Sequence, residues 1–195
     1  MTDIIIRKGE TWSRVLRWES LPFVYTAISA ITKAAPVAIT STHGLKDGWR
    51  TAVTGVQGMR QINCATFPPK AKDFHKVTVG GASTITFNDV DSTGYSAYTS
   101  GGYLVSYTPV SLASFTARMQ IRTTADATST LESLVSPTDI VLDDTNHTIT
   151  ITISATDTAA YTFTSAVYDL ELVSGSGVVT RLLEGNVSVV SEVTR

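Results

Sequence analysis

The segment His147-Thr148-Ile149-Thr150-Ile151-Thr152-Ile153-Ser154 alternates strictly between isoleucine and a polar side chain. In an extended chain successive side chains point to opposite faces, so Ile149, Ile151 and Ile153 share one face and three threonines share the other. At 3.6 residues per turn the same isoleucines would be scattered around a helix, and β-branched residues are poor helix formers. The pattern dictates a strand with one face in a core and one in water, the signature of an antiparallel sheet that needs a second layer.

The same logic recurs between Phe115 and Thr123, where Phe115, Ala117, Met119 and Ile121 point one way and Thr116, Arg118, Gln120 and Arg122 the other. Ala166–Val173 and Val178–Leu183 read as a hairpin across Ser174-Gly175-Ser176-Gly177, and Gly185-Asn186 reads as a further turn into a strand over Val187–Val193. Near the N-terminus, Ile4–Arg7 and Thr11–Trp18 are two strands about Lys8-Gly9-Glu10, with Trp12, Leu16 and Trp18 on one, core-facing side. Ala155–Ala160 is the one stretch expected to form a helical turn, capped by Thr156. A length of 195 residues with 43% hydrophobic and 16% charged residues supplies a core and argues against disorder.

The middle, residues 28–109, has a different texture, with Pro36, Pro68, Pro69, most of the glycines and weaker alternation. Its candidate strands are short: Val37–Thr40, Arg50–Thr54, His75–Val79, Thr84–Phe87 and Tyr103–Tyr107. The expected architecture is therefore all-β: a discontinuous antiparallel β-sandwich, Ig-like or jelly-roll-like, from residues 1–27 and 110–195, with residues 28–109 inserted as a small β-barrel or meander.

Two stretches of text then carry a resemblance. Ile151–Ala160, Tyr168-Asp169-Leu170-Glu171-Leu172 and Val178–Gly185, with Phe115–Arg122 and Arg7-Lys8-Gly9-Glu10-Thr11-Trp12, resemble a β-sandwich module of tailed-bacteriophage structural proteins. Thr42–Gly48, Val53–Met59, Ile62-Asn63, Asp91–Tyr95 and Ser100-Gly101-Gly102 are similar to a small β module that recurs in phage tail proteins. That module takes its name from the first catalytic-cysteine half-domain of ubiquitin-activating enzymes, but in the phage setting the resemblance implies a structural role. It implies a virion protein, made in the host bacterial cytoplasm and placed in the tail, baseplate or tail tip as a building block or fibre adaptor. Its implied partners are further copies of itself in a homo-oligomer and other tail, baseplate or virion proteins. The competing readings are a module for host glycan or another receptor, and a capsid decoration protein.

The chemistry-bearing residues favour that non-enzymatic reading. Cys64 has no CxxC partner, and His43, His75 and His147 lack metal-ligand spacing, so neither metal nor cofactor is expected. His43 is expected to tie down loop backbone by hydrogen bonding, and the acidic pairs Asp89/Asp91 and Asp143/Asp144 to serve turns rather than calcium. No GxSxG elbow or phosphate loop occurs, and no catalytic residue is assigned. The net charge of -2 argues against nucleic acid as a partner, and no apolar stretch suits membrane insertion or a secretory signal. Trp49, Tyr95, Tyr98 and Tyr103, with Tyr107 nearby, are the candidate ligand or interface aromatics of the insert.

Overall fold

The computed structural model describes residues 2–192. The strands are β1 (Ile4–Arg7), β2 (Trp12–Leu16), β3 (Glu19–Ala27), β4 (Ala30–Thr32), β5 (Val37–Thr40), β6 (Arg50–Thr54), β7 (His75–Gly81), β8 (Thr84–Phe87), β9 (Tyr103–Pro109), β10 (Thr116–Arg122), β11 (Glu132–Val135), β12 (Ile140–Asp143), β13 (Thr148–Ile153), β14 (Ser165–Val173) and β15 (Val179–Val190). A single α-helix among the described residues, α1 (Ala155–Ala160), interrupts them. The protein is nearly all β, and it divides into two compact units, residues 1–18 with 109–195, and residues 19–108.

The first unit is a two-sheet sandwich. One sheet has the order β1-β15-β14-β10-β11 and the other β12-β13-β2. Ile149, Ile151 and Ile153 of β13 lie fully inside, together with Ala117, Met119 and Ile121 of β10 and Leu170 and Leu172 of β14. These are the alternate positions that the text of each strand assigns to the core. Trp12, Leu16 and Trp18 pack against this cluster while staying half-buried, and the Trp18 ring meets Phe115 edge to face at 5.6 Å.

Three features depart from the sequence expectations. First, the larger sheet is not wholly antiparallel, because β1 runs parallel to β15 with Ile4 opposite Val187. Second, Gly185-Asn186 is no turn. β15 runs unbroken through it, since β14 offers a partner along the whole length, with one irregularity at Leu170/Glu171. Gly185 is needed there for another reason: a β-carbon would collide with the Thr2 backbone. Val187 and Val189 are buried as their spacing implies; Val193 lies outside the described residues. Third, the helix cap is Ser154, not Thr156. The Ser154 hydroxyl accepts the Asp157 N–H at 3.1 Å and meets its carboxylate at 2.6 Å, because Ser154 is still extended (φ -68°, ψ 156°) where the first helical turn begins. Further along α1, the buried Thr158 hydroxyl donates to the Glu10 carbonyl at 2.9 Å and so fastens the helix to the turn after β1.

The second unit begins at Glu19 rather than after Ala27, because β3 is hydrogen-bonded beside β9 and belongs to this sheet. Its seven strands follow the order β3-β9-β6-β7-β8-β5-β4, which is not the sequential order of a meander. The two edge strands, β3 and β4, are separated in the chain only by Ile28 and Ser29. The three steps from Ala27 to Ala30 span at most about 11 Å, so the sheet curls until its edges come close at that point. Inside the curl lie Val37, Ile39, Val53, Val77, Ile85, Phe87 and Leu104. Two buried hydroxyls hold this unit's chain crossings: Thr51 donates to Val105 O at 3.0 Å, and Ser92 bridges Ala34 N and O at 2.9 and 3.0 Å.

Candidate functional site

The core of the second unit decides which aromatics remain available. Leu104 of β9 points inward among Val53 and Val77, so alternation turns Tyr103 and Tyr107 to the other face of the sheet. The neighbouring β3 brings Phe23 and Tyr25 to that face. The connection after β6, which runs through short 3₁₀ turns at Arg60–Ile62 and Ala71–Asp73, delivers Phe67 and Phe74. Six rings thereby gather in two groups. In the inner group Phe74 stacks on Tyr107 at 5.1 Å and Phe23 lies 4.8 Å from Tyr107. In the outer group Tyr25 stands edge-on to Tyr103 and tilted to Phe67, at 6.3 Å from each. Tyr25, Phe67 and Tyr103 remain 49%, 59% and 48% exposed.

The sequence candidates therefore separate. Trp49 is only 8% exposed, inside the core, and Tyr95 and Tyr98 pack against it. The Tyr98 hydroxyl faces the carbonyls of Ile28 (3.2 Å) and Gly101 (3.1 Å), closing loops rather than awaiting a ligand. The same loop region holds Gly58, where a β-carbon would strike the Ala97 carbonyl. Of the named residues only Tyr103 reaches the exposed aromatic face, with Tyr107 beneath it. Phe23, Tyr25, Phe67 and Phe74 complete it; Phe23 and Tyr25, two residues apart like Tyr103 and Val105, are the signal that could have located the missing strand.

The acidic pairs are engaged in turns. Asp91 accepts the Thr93 hydroxyl and N–H at 2.6 and 2.9 Å, and these bonds hold its carboxyl below the usual carboxylate range. Asp143 is held low in the same way by the backbone and side chain of Asn146. Asp144 is held low by the Leu112 amide and the Ser111 hydroxyl, and it also accepts from Ala113. Asp89 instead meets His75 Nδ1 at 2.8 Å, with the His75 ring stacked on Phe87 at 4.8 Å. His43 does not tie down its loop: both ring nitrogens are buried without a hydrogen-bond partner among the described residues. The local turn is closed by the backbone itself, Trp49 N–H to Lys46 O at 3.1 Å. Cys64 is a half-buried free thiol. No group of three or more His, Cys, Asp and Glu comes together at metal-binding range among the described residues.

On the first unit the outer face of the larger sheet carries an open groove of about 520 Å³. Its charges compensate one another: Arg118 pairs with Glu171 at 2.7 Å, and Arg181 with Asp169 at 3.4 Å and Glu184 at 3.2 Å. Each of these three carboxylates faces a guanidinium, an arrangement that suits sheet cross-linking better than proton transfer. No protein-family model matches the sequence, and no curated protein matches it either.

Proposed function

We propose that this chain is a non-enzymatic structural protein of a tailed-phage particle, a tail, baseplate or tail-tip building block or fibre adaptor that assembles through its β-rich surfaces. The reading draws its phage setting from the resemblance of Ile151–Ala160, Phe115–Arg122 and Val178–Gly185 to virion sandwich modules. The observation that carries it is the outer aromatic group of Tyr25, Phe67 and Tyr103, large rings left half-exposed side by side. Aromatic side chains are enriched at protein interfaces, and contiguous apolar patches of this kind mark contact surfaces. Further support comes from the carboxylates, which serve turns and ion pairs.

Host glycan is the second reading of the same face. Sugars stack on open ring faces, whereas the edge of one ring in the 88° Tyr25–Tyr103 pair is set against the face of the other. That geometry accepts an inserted side chain better than a flat sugar ring, so a protein partner is favoured. Gold-labelled antibody on intact particles, with mass spectrometry of purified virions, tests the reading. Label at the tail end supports it, label over the head moves the protein to capsid decoration, and absence from the particle refutes it. Loss of a glycan-array signal in Tyr103→Ala would transfer the face to host recognition.

A further inference from the structure

The two edges of the five-stranded sheet are finished differently. At β11 the outward amides are occupied by the chain's own side chains: Val135 N–H donates to the Asp139 carboxylate at 3.0 Å and Ser133 N–H to the Glu132 carboxylate at 3.0 Å. The Val135 carbonyl is taken as well, by Asp139 N–H at 2.9 Å. Such an edge is closed to a further strand.

Among the described residues the β1 edge has no such cover. Thr2 and Lys8 donate their N–H groups to Glu184 O at 2.9 Å and Val190 O at 3.0 Å on β15. Backbone alternation then turns the amides of Ile4 and Ile6 to β15 and those of Asp3, Ile5 and Arg7 outward, where the described residues supply no further strand. The side chains of Asp3, Ile5 and Arg7 share the outer face, and Ile5 is 61% exposed. Asp3 uses one carboxylate oxygen, Oδ1, for Asn186 N and Nδ2 at 3.0 and 3.1 Å.

The text of this edge, Asp3-Ile4-Ile5-Ile6-Arg7, is symmetric about Ile5 in shape and opposite in charge at its ends. We propose that β1 pairs antiparallel with β1 of a second copy, about a two-fold axis at Ile5, fusing two five-stranded sheets into one continuous sheet. In that register Ile5 faces Ile5, Ile4 faces Ile6, and Asp3 faces Arg7 in both directions. The parity fits too: all three outward residues meet outward residues, so about six main-chain hydrogen bonds close, two at Ile5 and two at each Asp3–Arg7 pair. Directly opposed unlike charges favour this register, and any shift by two residues places a charge against isoleucine. An isologous seam of this kind closes on itself as a dimer. The proposal deepens the assembly reading by naming its occupant, a second copy, and invokes no position in a particle.

Sedimentation of the full chain over a concentration series tests it, with hydrogen exchange read at the Asp3 and Ile5 amides. A monomer–dimer equilibrium is expected, with those two amides gaining protection as the dimer forms. Ile5→Lys, which sets like charges against each other at the axis, should weaken dimerisation about tenfold or more and leave the circular dichroism unchanged. Arg7→Asp and Asp3→Arg should each be monomeric alone and form a one-to-one dimer when mixed, a rescue that misfolded variants would not show. A monomeric wild type overturns the seam, and particle labelling still tests the assembly reading separately. A dimer that survives Ile5→Lys overturns the seam while leaving assembly standing, and species larger than dimers would indicate a head-to-tail contact instead.

Discussion

Tyr161 and Tyr168 each carry a hydroxyl into the sandwich core, and each finds an acceptor there. Tyr161 donates to Glu132 at 3.1 Å, and Tyr168 to the Thr2 carbonyl. Burial, reinforced for Tyr161 by the Glu132 charge, pushes both phenols above their ordinary range. The consequence for pH has a definite sign. Below about pH 10 both phenols are neutral whether the chain is folded or not, and this contribution is fully present. Above that value the unfolded chain ionises first, so stability falls as pH rises toward the folded values. Thermal melts between about pH 8 and pH 11.5 should show a steepening loss. Tyr161→Phe should flatten that alkaline loss, and removing the hydrogen bond to Glu132 should cost about 1 kcal/mol at neutral pH. An unchanged alkaline slope in Tyr161→Phe would mean that the phenol is not sheltered as described.

Among the elements, those with the clearest alternation were legible from the text: β13 and β10 have the faces their residues dictate, and β5, β6 and β8 coincide with the short runs read in the middle segment. Strands that bury little left no such trace. β3 contains Pro22 and keeps Leu21, Val24 and Tyr25 exposed, so apart from the two-residue spacing of Phe23 and Tyr25 its pattern reads as a loop as readily as an edge strand. The site suffered from the same gap: Tyr103 could be named, but not the rings of β3 that surround it. β11 and β12 each bury a single side chain, Leu134 and Ile140, so they show no alternation of the kind that β5 and β8 show with two. At Gly185-Asn186 the text is that of a turn, and only the long partner β14 and the Thr2 backbone decide otherwise. Gly185→Ala should therefore behave as overpacking inside a strand. A loss of about 1–3 kcal/mol is expected in urea unfolding, whereas a true turn position would tolerate alanine more easily. Gly177, at φ +82° with open space around it, serves as a control for backbone strain alone.

For the whole molecule, each of the two units brings its own chain ends together. Trp18 O accepts Val110 N–H at 2.9 Å, so the two ends of the sandwich that flank residues 19–108 are already adjacent. Within the inserted unit the Thr108 hydroxyl donates to the Pro22 carbonyl at 2.6 Å, which brings its own ends together. Each unit has a separate buried cluster, one centred on the isoleucines of β13 and one on Phe87 and Ile85. A chain in which residues 19–108 are replaced by a short glycine link should keep the sandwich folded. Near-ultraviolet circular dichroism from Trp12 and Trp18, and resistance to proteolysis, are the measurements. Loss of both signals would mean that the sandwich needs the insert to fold.

The parallel pairing of β1 with β15 also sets an order in time. A ribosome that has made Ile4 must reach Val187 before the first strand meets its partner, a delay on the order of ten seconds or more at ordinary elongation rates. Residues 19–108, contiguous in the chain, can close during that interval, so the part that emerges second is the first able to finish. The sandwich is completed last, when β15 reaches a strand that was made well before it.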